Sequence, residues 1–177
     1  MAACGAELRG IDLSQDLLAR ARARVGGLAN VRLTCGNAEQ MPFPTGTFDA
    51  VYGSSVLHHL NHERSLREVL RVLKPGGLIA FAEPNIWNPQ VAVMFHLAST
   101  KEYFGVSPDE MAFSRFYARR VLAAVGYRDI AVRPFDFLHP STPKGWLGAV
   151  GRLGLSLERT PLLREIAGSL LLTATKP

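Results

Sequence analysis

The chain is 177 residues long, 47% hydrophobic and 20% charged, with a net charge of +5 at pH 7. This is one domain's worth of ordinary globular composition, long enough to bury a core without disulfide or metal staples. No apolar run approaches the roughly 18 residues of a membrane span, the first residues lack the basic-then-apolar pattern of a secretory signal, and there is no glycine repeat, heptad array or low-complexity tract.

Apolar runs and helical patterns alternate from the start, which argues for an α/β protein with a mainly parallel sheet. Ala6–Asp12 reads as a strand ending in an acid. Ser14 is a helix cap with Asp16 in the first turn, and Leu17, Leu18, Ala21 and Val25 recur at helical spacing before Gly26-Gly27 stops the helix. Val31–Cys35 is a short strand, and Gly36–Thr47 is a loop punctuated by Pro42, Pro44 and Gly46. Phe48–Tyr52 is the next strand and runs into the turn Gly53-Ser54-Ser55. Asn61 caps a helix with the stripe Leu66, Val69, Leu70, Leu73, ended by Pro75-Gly76-Gly77.

Leu78–Ala82 is a continuous apolar run, as expected of a strand covered on both faces. Pro84, Asn85, Asn88 and Pro89 mark a loop, and Val91–Ser99 reads as a helix. Ser114 caps a helix with Ala118, Val121, Leu122 and Val125 on one face, and Gly126 ends it. Tyr127–Leu138 is extended with a break at Pro134, Trp146–Leu157 is a weak helix and Gly168–Thr175 a final strand. No composition shift divides residues 1–177 into two domains.

Cys4 and Cys35 make neither a disulfide framework nor a zinc spacing. They are expected as small buried residues, and the simplest setting is a reducing cytoplasm. Sixteen of the 20 basic residues are Arg, in short sets such as Arg20, Arg22, Arg24 and Arg64, Arg67, Arg71 that read as solvated helix faces. No nucleic-acid-binding signature accompanies them, so nucleic acid is not the expected partner.

Ligands of an open parallel sheet bind beyond the carboxyl ends of its strands. Asp12 ends the first strand there, and a carboxylate can accept both hydroxyls of a ribose; helix capping is its competing use. Asn37 suits an adenine edge or a turn. Ser54 and Ser55 suit a ligand or a helix cap. His58, His59 and His62 form the only histidine cluster. One of them could act as a general base, or they could simply pack. His58 and His62 have i, i+4 spacing, but no third ligand is evident, so no metal is expected. Glu83 ends the Leu78–Ala82 strand and faces the same crevice, with its role open.

The order of these signals is more specific than any one of them. GIDLS at Gly10–Ser14, GNAEQMPFPTGTFDAV at Gly36–Val51, SSVLHHL at Ser54–Leu60 and LREVLRVLKPGGLIAFAEPN at Leu66–Asn85 together resemble the class I S-adenosylmethionine-dependent methyltransferases, in particular the small-molecule group called type 11. The resemblance implies a Rossmann-like, doubly wound, mostly parallel sheet with an antiparallel C-terminal strand. It implies S-adenosylmethionine as cofactor and a small-molecule methyl acceptor. Asp12 would hold the ribose hydroxyls, Leu13 would line the adenine pocket, and Asn37 and Ala38 would face the ring. Ser54 would lie near the methionine part, and His59 near the methyl-transfer centre. Residues 86–113 and 140–165 match as variable, substrate-side segments.

One departure is large. The family's first central strand and its glycine-rich loop have no counterpart here, and the chain starts in what resembles the end of the first helix. A gap of about 10 Å, two strand spacings, is expected between the strands ending at Asp12 and at Tyr52. The sequence therefore reads as a piece of a longer protein that by itself binds the cofactor weakly or not at all. A non-catalytic methyltransferase-like module is the alternative, and the open sheet edge would favour homo-oligomers.

Overall fold

A computed structural model describes residues 5–97, 107, 110–138 and 142–177. Strands β1 (Leu8–Asp12) and β2 (Val31–Cys35) pair in parallel from Leu8↔Val31 to Asp12↔Cys35. Helix α1 (Gln15–Val25) is their crossover. Its cap is the one the sequence predicts: Ser14 Oγ accepts from Leu17 N at 3.2 Å. The predicted stripe of α1 is only partly covered. Leu18 is buried, but Leu17 is 52% exposed.

The second sheet has the order β3-β4-β6-β5. Strand β3 (Phe48–Ser54) runs parallel to β4 (Leu73–Pro84), with α2 (His62–Val72) as the crossover. Helix α3 (Pro89–His96) follows, then α4 (Arg115–Val125), β5 (Arg128–Phe135), α5 (Leu147–Glu158) and β6 (Ser169–Thr175). Strand β6 lies between β4 and β5, antiparallel to both, which gives the expected antiparallel C-terminal strand. Among the described residues no ladder joins β1 to β3. The break falls where the sequence reading places it, between the strand ending at Asp12 and the Phe48–Ser54 strand.

The hydrophobic core belongs to the four-stranded sheet. Ile79, Phe81, Leu170 and Leu172 from the sheet pack with residues such as Leu66 of α2 and Leu122 of α4, each nearly inaccessible. By contrast Leu18 is the one buried residue among the described residues before Gly36. Gly53 shows how tightly the core approaches the functional turn. A Cβ there would lie 2.7 Å from both Phe81 Cε1 and Val56 Cγ1, so only glycine fits without repacking.

Four local expectations are corrected. Helix α2 ends at Val72, and Leu73 through Gly77 already belong to β4, where Lys176 N donates to Gly77 O and Gly76 N to Lys176 O. The Leu78–Ala82 run is not covered equally on both faces: Ile79, Phe81 and Glu83 are buried while Leu78 is exposed. Pro134 does not break β5. It pairs opposite Leu170, because β5 is an edge strand that loses no ladder bond to a missing N–H. The irregularity lies instead at Arg128–Ala131, where Asp129 takes a left-handed φ of 50°. Cys35, the last residue of β2, is exposed rather than buried; Cys4 and residues 98–99 of the predicted third helix lie outside the described residues.

The loop between β2 and β3 is clamped onto α2. Met41 N donates to Glu68 Oε1 at 2.7 Å, Arg71 Nη2 donates to the same oxygen at 2.6 Å, and Arg71 Nη2 also reaches Met41 O at 3.2 Å. The Arg71 hydrogen bond holds the Glu68 carboxyl below its ordinary 4.5, against the opposing effect of burial and with help from the Met41 amide. A lowered carboxylate contributes stability that is complete above the unfolded value and is lost as the pH falls through the folded one. Glu68→Gln is therefore expected to flatten the acid limb of the urea midpoint measured against pH below 4.5, while lowering the midpoint near neutrality.

Candidate functional site

Three segments meet the carboxyl ends of the parallel strands. The first is Asp12-Leu13-Ser14 after β1. Asp12 is half-buried, and its Oδ1 accepts from the amide of Ser14, the N-cap of α1, at 2.8 Å, so it braces the cap without being it. Among the described residues its Oδ2 has no protein partner. Leu13 is 65% exposed, an apolar side chain presented to solvent beside that free oxygen.

The second segment is Gly36–Gln40 after β2. Gly36 N donates to Asp12 O at 3.0 Å, which brings the two segments together. A Cβ at Gly36 would lie 2.9 Å from Ile11 Cδ1 and 3.2 Å from Pro42 Cδ, so glycine permits the approach. Asn37 Oδ1 accepts from Glu39 N at 2.8 Å and Gln40 N donates to Asn37 O at 3.1 Å. Asn37 is thus a turn former, as its competing reading has it. Its Nδ2 hydrogens and one Oδ1 lone pair remain for a ligand. Ala38 is half-buried beside it. Glu39 ties this turn to the next segment: its Oε1 accepts from Asn61 N at 2.8 Å, and its Oε2 lies 3.7 Å from Arg64.

The third segment follows β3. Ser54 is exposed at the strand end, opposite Ala82 of β4. Ser55 adopts a left-handed φ of 51° and donates its N–H to Ala82 O at 2.8 Å. The chain then enters a single 3₁₀ turn, Leu57–His59. That turn has no side-chain cap of its own, and Glu83 takes that role. Glu83 is 1% exposed. Its Oε1 accepts from Val56 N at 3.1 Å and Leu57 N at 2.9 Å, and its Oε2 from His58 N at 3.3 Å. The same Oε2 lies 2.8 Å from His58 Nδ1. One buried carboxylate therefore satisfies three orphan amides and orients an imidazole, which answers the question of its role.

The histidines divide by environment. His58 is buried, with its ring centroid 3.9 Å from that of His59. His59 is half exposed, and its Nδ1 lies 3.0 Å from Glu110 Oε1. Burial opposes charge on Glu110, but hydrogen bonds from His59 and Ser107 outweigh it and keep the carboxyl below its ordinary value. His62 starts α2 on Phe113 at 4.5 Å between centroids, with Nδ1 2.9 Å from Tyr117 Oη. Burial holds its pKa down, the Glu83 charge opposing and His58 adding to the effect. His62 is thus a packing residue.

Sequence reasoning does not find Glu110 or Tyr117. Glu110 is 51 residues beyond His59 with no pattern around it, and only the fold brings the two together. Beyond the histidines, Trp87 and Phe116 stack at 5.4 Å and are largely exposed together with Met111.

The α/β arrangement of these elements is shared with solved methyltransferases. A S-adenosylmethionine-dependent methyltransferase of Thermotoga maritima superposes on 99% of this chain and 76% of its own, at a TM-score of 0.73 and 19% identity. Another from Mesorhizobium loti covers 94% and 79%, at 0.66 and 22%. Residues 1–81 match a family described as a methyltransferase domain. The demethylmenaquinone methyltransferase of Geobacillus kaustophilus is 28% identical over 150 residues, 74% of this chain and 64% of that protein. That of Listeria monocytogenes is 41% identical over 83 residues, 44% of this chain and 35% of that protein. The match to the methyltransferase domain thus takes in a little under half of the chain, and the chain spans less than two thirds of the length of these demethylmenaquinone methyltransferases.

Proposed function

We propose that the protein transfers a methyl group from S-adenosylmethionine to a small molecule with an apolar body. The carrying observation is the hydrogen bond that sets Asp12 beside the Asn37 turn, with one carboxylate oxygen and one amide group left over. Those residues fit the nucleoside half of the cofactor: a carboxylate for the ribose diol, an amide for the adenine edge, and Leu13 and Ala38 against the ring's faces. Ser54 would meet the methionine part, and His59 the methyl-transfer centre. When bound, the cofactor supplies an already activated sulfonium methyl, so the protein's task is alignment, worth on the order of 7–11 kcal/mol at best.

Residues 86–113 and 140–165 would form the acceptor side. The exposed Trp87–Phe116 ring pair, with Met111 exposed in the same stretch of sequence, favours an acceptor with an apolar or aromatic body. The named relatives act on demethylmenaquinone, which has that character. Among the described residues no helix is long and apolar enough to cross a membrane, and a cytoplasmic setting suits a cofactor made there. The test is twofold. Addition of S-adenosylhomocysteine to the ¹⁵N-labelled protein should shift the amides of Leu13, Asn37, Ala38 and Ser54. Label from methyl-tritiated cofactor should pass to one of a panel of quinols, phenols and amines. The ligand is added in large excess, because weak binding is expected of this chain by itself; unshifted amides even there, together with no transfer, would refute the proposal.

A further inference from the structure

The sequence shows two adjacent histidines and no third ligand, but the fold supplies one. A ring nitrogen of His58, a ring nitrogen of His59 and a Glu110 oxygen all lie within 4.8 Å of one another. His59 Nδ1 and Glu110 Oε1 are 3.0 Å apart. Two donors at about 2.0–2.1 Å from a tetrahedral zinc ion sit roughly 3.4 Å apart. The His59–Glu110 pair is therefore close to ligating distance, and a His58 nitrogen lies within 4.8 Å of both.

An ion pair alone accounts for His59 and Glu110. It does not account for His58, which is stacked on His59 with its Nδ1 held 2.8 Å from a carboxylate that is otherwise spent on three amides. That contact leaves His58 Nε2 as the free donor. A histidine that binds a metal through one nitrogen commonly gives the other to a carboxylate, which fixes the ring's orientation and raises its basicity. Glu83 stands in that place.

We propose that His58, His59 and Glu110 form a site for a divalent transition-metal ion of the zinc type, with Glu83 orienting His58 from behind. Two imidazoles and one carboxylate suit zinc, cobalt, nickel or iron rather than magnesium or calcium, which prefer all-oxygen sets. Three protein ligands leave at least one position open, the pattern of a reactive site and not a structural one. His59 is half exposed, so the site is reachable from solvent. An oxygen of an acceptor, such as a phenol or hydroquinone, is the ligand class it would take. With the ion on Nδ1, the His59 ring carries its hydrogen on Nε2. His59 is then a ligand and not a free base.

The proposal is independent of methyl transfer, because its test uses no cofactor. The untagged 177-residue protein, with Cys35→Ser to remove the exposed thiol, is titrated with cobalt(II) and followed by its visible d–d absorption, then by zinc displacement. One ion per chain is expected, in a four- or five-coordinate spectrum. Glu110→Gln and His59→Ala should each weaken binding at least tenfold without changing the circular dichroism. Glu83→Gln should weaken it by about 10–100-fold, as outer-sphere partners do. Absence of stoichiometric binding, or an affinity unchanged from the parent in Glu110→Gln or His59→Ala, would overturn the site. A failure of methyl transfer with metal bound would leave it standing.

Discussion

Glu83→Ala is expected to lower the unfolding free energy by about 3–5 kcal/mol, the range for removing one partner of a buried charged network. The cause is specific. The amides of Val56, Leu57 and His58 have no intrahelical partner in a single 3₁₀ turn, and Glu83 accepts from all three. Each buried donor left unpaired costs about 1–3 kcal/mol. His58 also loses the group at its Nδ1. Glu83→Gln keeps one oxygen acceptor and should lose markedly less. Urea unfolding of the three proteins decides the point. Equal midpoints for the parent and Glu83→Ala would mean that the turn finds its own partners.

Asp12→Asn should weaken cofactor binding by roughly 10–100-fold, since a charge-assisted hydrogen bond contributes about 1.5–3 kcal/mol and each 1.4 kcal/mol is tenfold. The substitution keeps an oxygen for Ser14 N, so the cap of α1 and the fold should survive. Amide shift titrations with S-adenosylhomocysteine measure the ratio even where binding is weak. An unchanged affinity would show that the ribose is held elsewhere.

Much of the fold is legible because local signals agree with it. Ser14, Asn61 and Ser114 cap α1, α2 and α4 as expected. Gly126 ends α4 in the left-handed region, φ 108°. The alternation of elements carries the α/β class, and β2 falls on Val31–Cys35 as read. What is not legible depends on partners distant in sequence. Leu78 reads as core in an apolar run, yet only the placement of helices decides which face is covered. Pro134 reads as a break until β5 is known to be an edge. At the site, Asp12 and Asn37 stand out because strand ends carry ligands, whereas Glu110 has no local mark. His62, two residues beyond Leu60, looks equivalent to His58 and His59. Burial against Phe113 separates it from them.

The division of the sheet has an energetic consequence. Strands β1 and β2 with α1 hold a single buried side chain, Leu18, whereas the other four strands carry the core. Such an arm should open and close as its own cooperative unit, at a free-energy cost well below that of global unfolding. A nucleoside gripped by Asp12 on the arm and by Ser54 on the body would act as mortar between the two. Occupancy would then be felt chiefly as rigidity of the arm, gained by mass action as ligand concentration rises.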